Sequence, residues 1–303
     1  MIISKTPYRV SFFGGGTDYP FWFKKNKGLI IGTSIDKYCY ITLRSLPPFF
    51  NNKHRLVWSK IETVDNYSQI EHPAIRECLK LYNIKNGLEI HHVGDLPARS
   101  GIGSSSSFAV GLISALNCYK KKKNSKKEIA KRAIMFEQKI LKEVVGVQDQ
   151  IFASHGGFLS ISINENSDYS VSNLIKKNPI IKDLENHITL MYTGVSRYSS
   201  NIAIKQKQDF NKKNEAYETL YQLTKEAKNL IENQFSIKDL GLILDETWKI
   251  KKTLSNKISN KLIDEIYEVA KNCGVYGGKI LGAGGGGFIL FLTNKNSKKK
   301  LKS

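Results

Sequence analysis

Residues 97–107 read Pro-Ala-Arg-Ser-Gly-Ile-Gly-Ser-Ser-Ser-Ser, a glycine turn that opens directly into a helical pattern. Gly101 and Gly103 allow backbone angles closed to other residues and leave room for a ligand to approach the amides. Beyond them Phe108, Leu112, Ile113 and Leu116 recur at helical spacing, which puts Ser104, Ser105 and Ser106 at a helix N-terminus. There the first amides lack intrahelical partners and the helix dipole favours an anion. The segment therefore predicts a phosphate-binding loop, with a serine hydroxyl able to ligate Mg²⁺. It is not a Walker A sequence, because no Lys-Ser or Lys-Thr pair follows the last glycine. A serine-rich cap between packed elements is the competing reading of this stretch taken alone.

Two further glycine-rich stretches weigh against that bland alternative. Thr6 to Pro20 reads TPYRVSFFGGGTDYP, an arginine in a strand-like run followed by three glycines and an aspartate at a turn. Lys279 to Leu292 reads KILGAGGGGFILFL, with small residues from Gly282 to Gly287 leading into an apolar strand. Glycine in such a setting marks close approach by a ligand or by another backbone.

Composition bounds the rest. The 303 residues suffice for one large domain or two intimate ones. Cys39, Cys78, Cys118 and Cys273 are widely separated and lack paired metal-ligand spacing, so they read as reduced thiols of a cytoplasmic protein. No long apolar run or leader-like start is present, so neither membrane spanning nor export is expected. The formal charge of +20 raises the prospect of nucleic-acid binding. The excess is mostly scattered lysine, however, without arginine interleaved among aromatics, so no nucleic-acid partner is expected. A positive field would still draw anionic substrates.

From Ile2 to about Ile163 strand-like runs (Ile2 to Phe13, Gly28 to Ser34, Tyr38 to Leu43, Leu88 to Val93, Phe158 to Ile163) alternate with helical ones. A capping-box pattern at Ser125 and Glu128 opens one of the helices. Glu137 falls on its apolar stripe. Buried there, an ionised carboxylate needs a cation or a strong donor; Mg²⁺ opposite the serine loop is one solution, and a Lys or Arg at the helix edge is the other. The polar stretch from Ser167 to Asn186 predicts an irregular domain boundary, giving domains of residues 1–166 and 167–303. A long Lys/Glu helix is predicted from about Asn201 to Gln234, and Gly274 fits a helix stop.

The three glycine motifs, in this order, resemble the GHMP kinase superfamily from Pro7 to Leu292. Within it, FFGGGTDYP, then SIDKYCYITLRSLPPFF from Ser34 to Phe50, then EIHHVGDLPARSGIGSSSSF look most like the D-glycero-D-manno-heptose 7-phosphate kinases. The resemblance implies an α+β GHMP kinase fold, with an N-terminal mixed α/β domain containing a left-handed crossover and a C-terminal ferredoxin-like domain. Strand and helix periodicity alone would predict right-handed crossovers. It further implies ATP and Mg²⁺ as cofactors, a sugar phosphate as substrate, and transfer to the anomeric hydroxyl. A 1-kinase of a free sugar such as fucose, whose enzymes share the GGGTD motif, is the alternative enzyme. A nucleic-acid-binding protein on the same fold is the non-enzymatic one.

By the same resemblance Asp149, in GVQDQIFASHGG, lies against the acceptor hydroxyl, and Arg9 stabilises the transferring group; both are catalytic candidates. Pro97, Ser100, Gly101, Gly103, Ser104, Ser105 and Ser106 would bind nucleotide, and Ser105 with Glu137 would hold the metal. Gly15, Gly16, Thr17, Asp18, Gly284 and Gly285 would bind the sugar. Where galactokinases carry Glu-His this chain has Gly15-Gly16, which disfavours galactose. A clamp for the sugar phosphate would come from among Arg44, His54, Arg55, Arg99 and Arg197, with Arg99 and Arg197 preferred, and Trp58 is the candidate to stack on adenine.

Overall fold

The structure, a computed structural model, describes residues 1–177, 183–196, 199–233 and 235–301. In chain order it runs β1 (Ile2–Phe13), α1 (Pro20–Phe23), β2 (Gly28–Ser45), β3 (His54–Val57), β4 (Ile61–Val64), α2 (Pro73–Leu81), β5 (Leu88–Gly94), α3 (Ser104–Tyr119), α4 (Lys126–Met135), α5 (Gln148–His155), β6 (Phe158–Ile163) and β7 (Tyr169–Asn173). There follow α6 (Leu174–Lys177), α7 (Leu184–His187), β8 (Ile188–Tyr192), α8 (Ser199–Asp209), α9 (Asn214–Asn233), α10 (Ile237–Thr253), α11 (Lys261–Asn272), β9 (Gly277–Ile280), β10 (Phe288–Leu292) and α12 (Lys295–Lys300). The chain divides into two compact units that interleave in sequence.

The first unit comprises Met1–Tyr8, Ile35–Ala98 and Gly103–Gly156. Its strands lie in the order β4-β3-β5-β2, and β1 pairs with β2. Alternation sets the inner face of β2, where Cys39, Ile41 and Leu43 are buried between outward-facing neighbours, as expected of a half-buried strand. Helix α3 packs against this layer through Gly111: a Cβ there would sit 2.9 Å from Thr6 Oγ1 and 3.3 Å from Ile41. Ser125 and Glu128 form the predicted capping box at the start of α4. After α4 a π-turn over Phe136–Ile140 widens the helix, closed by the Leu141 amide donating to the Phe136 carbonyl at 2.9 Å.

The second unit comprises Arg9–Ser34, Arg99–Ile102 and Gly157–Ser303. In it the first half of β2 pairs antiparallel with β6, and β6 with β7. Gly28 through Gly32 are all buried. A separate antiparallel sheet runs β8-β10-β9, in which β10 is the central strand and Ile289 to Leu292 are fully buried. Helix α10 packs on β9 and β10 and against α9.

Three expectations differ from what is found. Residues Gly28–Ser45 form one long strand rather than two. The single Lys/Glu helix is divided by a 3₁₀ turn at Phe210–Lys212, because the Phe210 ring turns inward onto Phe21, Trp22 and Tyr217. The polar stretch after Ser167 contains β7, α6 and α7, pinned by the buried Tyr169, Leu174 and Leu184. Gly274 does follow α11, with φ +84°.

Candidate active site

In the first unit, Gly103 at φ 74° is the N-cap of α3, and no side chain caps the helix. The amides of the first turn therefore end at the serine run as predicted, an arrangement suited to an anion. Ser106 and Ser107 are buried, whereas Ser105 is exposed and Ser104 half-buried. The π-turn carries Glu137 inward until it is 1% exposed. Its carboxylate accepts from Ser106 Oγ at 3.1 and 2.8 Å and from Gln150 Nε2. Both donors are neutral, and no Lys or Arg pairs with Glu137 among the described residues. Burial pushes its pKa up to about 8, against the pull of the Gln150 and Ser106 hydrogen bonds, and the nearby Glu143 and Asp149 charges add to the rise. π-turns of this kind recur at functional sites because they redirect one side chain without breaking the helix. Asp149 lies in the first turn of the eight-residue α5.

In the second unit, β1 delivers Arg9, buried to 4% exposure. Its amide donates to the Ile102 carbonyl at 3.1 Å and its NH1 to the Gly101 carbonyl at 2.5 Å. The chain then turns through Gly14 at φ +82°, where a Cβ would lie 1.8 Å from the Leu29 carbonyl oxygen; no other residue fits. Thr17 Oγ1 donates to the Gly14 carbonyl at 2.9 Å and receives the Leu29 amide at 3.2 Å. Asp18, 1% exposed, accepts the Gly16 amide at 3.0 Å. The C-terminal glycine run packs on the phosphate-loop segment of the same unit. Gly282 and Gly101 meet backbone to backbone, with 2.8 Å from a Gly282 Cβ to Gly101 Cα, and the Phe288 amide donates to the Ser100 carbonyl at 3.0 Å. Gly285 donates to the Ile258 carbonyl at 2.8 Å.

The predicted residues thus gather in two groups, Ser104 to Ser106, Glu137 and Asp149 in one unit, and Arg9, Gly15 to Asp18, Ser100, Gly101, Gly284 and Gly285 in the other. Pro97 belongs to the first unit, and Arg99 is an exposed turn residue at φ 62° in the second. Arg197 lies outside the described residues. The remaining basic candidates are otherwise engaged: Arg44 and Arg55 grip Glu89, and the buried His54 accepts the Leu88 amide at 3.3 Å. Trp58 is half-buried, donates to Glu62 at 2.7 Å and meets His72 edge-on at 4.9 Å.

Gln150, Lys251 and Lys279 escape the sequence reading. Gln150 is one residue past Asp149 and so was legible as a neighbour, but an amide in an apolar helix carries no signal of its own. Lys279 sits inside the quoted glycine motif, in an otherwise apolar strand. Lys251 belongs to a run, Lys249-Ile-Lys-Lys252, that looks like a solvated face.

Each unit thus carries features suited to binding phosphate: in the first, a glycine N-cap at the serine run above a buried carboxylate with neutral donors, and in the second, a glycine strand packed on Ser100 and Gly101. The GHMP kinases N terminal domain matches residues 66–157 and the GHMP kinases C terminal family matches residues 220–303; the chain belongs to the GHMP kinases and has their α+β fold. It is a phosphotransferase with an alcohol group as acceptor, and its family uses ATP as phosphate donor. The D-glycero-alpha-D-manno-heptose 7-phosphate kinase of Campylobacter jejuni is 29% identical over 99% of this chain and 91% of its own length. The bifunctional fucokinase/GDP-fucose pyrophosphorylase of Arabidopsis thaliana is 25% identical over 97% of this chain but only 30% of that longer protein. Among solved structures, a D-glycero-D-manno-heptose 1-phosphate kinase from Bacteroides thetaiotaomicron superposes with a TM-score of 0.78 at 24% identity, covering 99% and 91% of the two chains.

Proposed function

We propose that this protein is an ATP-dependent sugar kinase that phosphorylates the anomeric hydroxyl of D-glycero-D-manno-heptose 7-phosphate, giving the 1,7-bisphosphate for nucleotide-activated heptose synthesis. The observation that carries the kinase chemistry is the buried Glu137 carboxylate, held by Ser106 and Gln150 without a cationic partner among the described residues. The heptose substrate is supported by similarity along nearly the whole chain to the Campylobacter jejuni enzyme.

Nucleotide phosphates are assigned to Pro97, Ser100, Gly101 and Gly103 to Ser106. The donor set, a carboxylate with a hydroxyl, fits Mg²⁺, which binds through one or two carboxylates and the substrate phosphates. Glu137 would hold it with Ser105, the predicted ligand, or with Ser106, whose hydroxyl rests on that carboxylate, and it would neutralise charge on the triphosphate. In the reaction a bond forms between the sugar oxygen and the γ-phosphorus while the bond to the β,γ-bridging oxygen breaks. Asp149 orients the attacking hydroxyl and takes its proton, and Arg9 stabilises the charge on the transferring group. Gly15, Gly16, Thr17 and Asp18, with Gly284 and Gly285, line the sugar, and Arg99 and Arg197 meet its phosphate. Residues 1–166 and 167–303 are assigned as the N- and C-terminal domains, each enclosing its matched family segment. A cytoplasmic location accords with use of ATP and with four free cysteines. No helix among the described residues is long and apolar enough to cross a membrane.

The Arabidopsis similarity and the shared GGGTD turn favour one second reading, a fucose 1-kinase. ADP release with Mg²⁺ against a panel of the heptose 7-phosphate, free heptose, fucose, mannose and galactose separates them. Turnover confined to the phosphorylated heptose is expected. Preference for fucose would move the assignment to the second reading.

A further inference from the structure

Two fully buried lysines in the second unit have no part in the scheme above. Lys279 is a residue of β9, 1% exposed, and its Nζ donates to the carbonyls of Ser11 and Phe12, each at 3.0 Å. Those carbonyls lie on β1 between Arg9 and the Gly14 to Asp18 turn. Lys251, in the last turn of α10 and 5% exposed, donates to the carbonyl of Gly282 at 2.6 Å and to that of Ile280 at 3.3 Å. Neither amine forms an ion pair with a carboxylate among the described residues. The charged groups that act on the pair are Arg9 and, with opposite sign, Asp18.

Apolar side chains of similar volume would join the same elements without the cost of desolvating an amine. Lys279 holds the stretch of β1 between Arg9 and the Gly14 to Asp18 turn, and Lys251 holds the turn that leads to Gly284 and Gly285, so both amines fix backbone next to predicted site residues. We propose that Lys279 and Lys251 are positioning residues for phosphoryl transfer, Lys279 by tying β1 between Arg9 and Asp18 to β9, and Lys251 by tying the Gly282 turn to α10 within electrostatic range of Arg9. The inference rests on the kinase reading of this same site. The two lysines divide the work. Burial, with Lys251 and Arg9 adding, holds the Lys279 amine well below the usual lysine range, so it serves as a donor to two carbonyls. Burial, with Arg9 adding, lowers Lys251 only to about 8, so Lys251 carries the positive charge at neutral pH and loses it as pH rises through that value.

The test uses the full chain, with Mg²⁺, ATP and the acceptor that supports wild-type turnover, and follows kcat and kcat/KM between about pH 6.5 and 9.5. Wild-type kcat/KM, which reports the free enzyme, is expected to fall on an alkaline limb near the Lys251 value. Lys251→Arg keeps the charge but does not titrate in this range; it is expected to fold, to stay active and to lose that limb. Lys279→Met is expected to lower kcat by roughly 10- to 100-fold while the KM for ATP stays within about threefold, a split that a merely structural role would not produce. A folded Lys279→Met enzyme with wild-type kcat overturns the proposal, as does a Lys251→Arg enzyme with the wild-type alkaline limb. Should Lys279→Met fail to fold, the Lys251→Arg profile decides. A wild-type protein inactive on every acceptor overturns the kinase reading and this inference together, whereas an active wild type with unaffected variants overturns this inference alone.

Discussion

Two glutamates of the same unit, each with little of its surface exposed to solvent but Glu137 the more deeply set, have opposite electrostatic fates. Glu89 on β5 lies beside Arg44 of β2 and Arg55 of β3 through strand register. It accepts from Arg44 Nε at 2.6 Å, Arg55 NH1 at 2.7 Å and His91 Nε2 at 2.8 Å. Burial works against its charge, but the His91, Arg44 and Arg55 hydrogen bonds outweigh it and hold the carboxyl below the usual glutamate range. Glu137 has two neutral donors and is driven the other way, to about 8. The sheet glutamate is a charge completed by the fold. The one beneath the serine loop has only neutral hydrogen-bond partners among the described residues, a perturbation of the kind that clusters at functional sites. Lys251 repeats the pattern with the opposite sign in the second unit: it is buried, it donates only to backbone carbonyls among the described residues, and burial lowers its pKa to about 8.

The contrast can be broken most decisively at the group beside Glu137. Asp149→Ala is expected to lower kcat by about 10²- to 10⁴-fold while thermal unfolding and ATP affinity, measured by calorimetry, stay near wild type; wild-type turnover would remove Asp149 from the chemistry. Glu137→Gln keeps the shape and both hydrogen-bond partners but cannot ionise. It should weaken Mg²⁺-dependent nucleotide binding by roughly 10- to 100-fold and leave the unfolding midpoint of the ligand-free protein unchanged or higher, since the raised pKa of Glu137 makes the folded protein take up a proton there at neutral pH and the amide does not. A lower midpoint would mean that the carboxylate is structural after all. Glu89→Gln should do the reverse, with kcat within about twofold and stability lowered by about 1–3 kcal/mol at pH 7. Because the folded carboxyl titrates below its unfolded value, that contribution is fully present above the ordinary glutamate pKa of 4.5 and is lost as pH falls through the lower folded value. Wild type and variant should therefore converge in chemical denaturation towards acid pH, and a gap that persists there would show that packing, not charge, supports the site.

Much of this was readable in order along the chain. The helix start at the serines, the capping box at Ser125 and the stop at Gly274 follow from local rules, because each depends on residues within a turn of one another. Glu137 was visible as a polar residue on an apolar stripe, although not its π-turn, since an extra residue in a helical turn leaves no trace in periodicity. Short polar strands such as β3, β4 and β7 escaped for a related reason: each has four or five residues, too few for alternation to register. The break at Phe210 escaped because a helix-compatible sequence was overridden by one aromatic side chain drawn into a distant cluster.

The class of chemistry follows from residue order alone. Glycines that allow close backbone approach, serines at a helix start, and an arginine and aspartates at fixed places in the motifs are local facts, and their order along the chain marks the kinase family. Tertiary structure alone decided which charges are completed and which are not. Arg44 and Arg55 became partners of Glu89 through register, Ser106 rather than Ser105 turned to Glu137, and Lys279 and Lys251, the latter from a run that reads as a solvated face, were buried against backbone carbonyls. The ionisation of a side chain depends on what surrounds it in space, and residues far apart along the chain supply those surroundings.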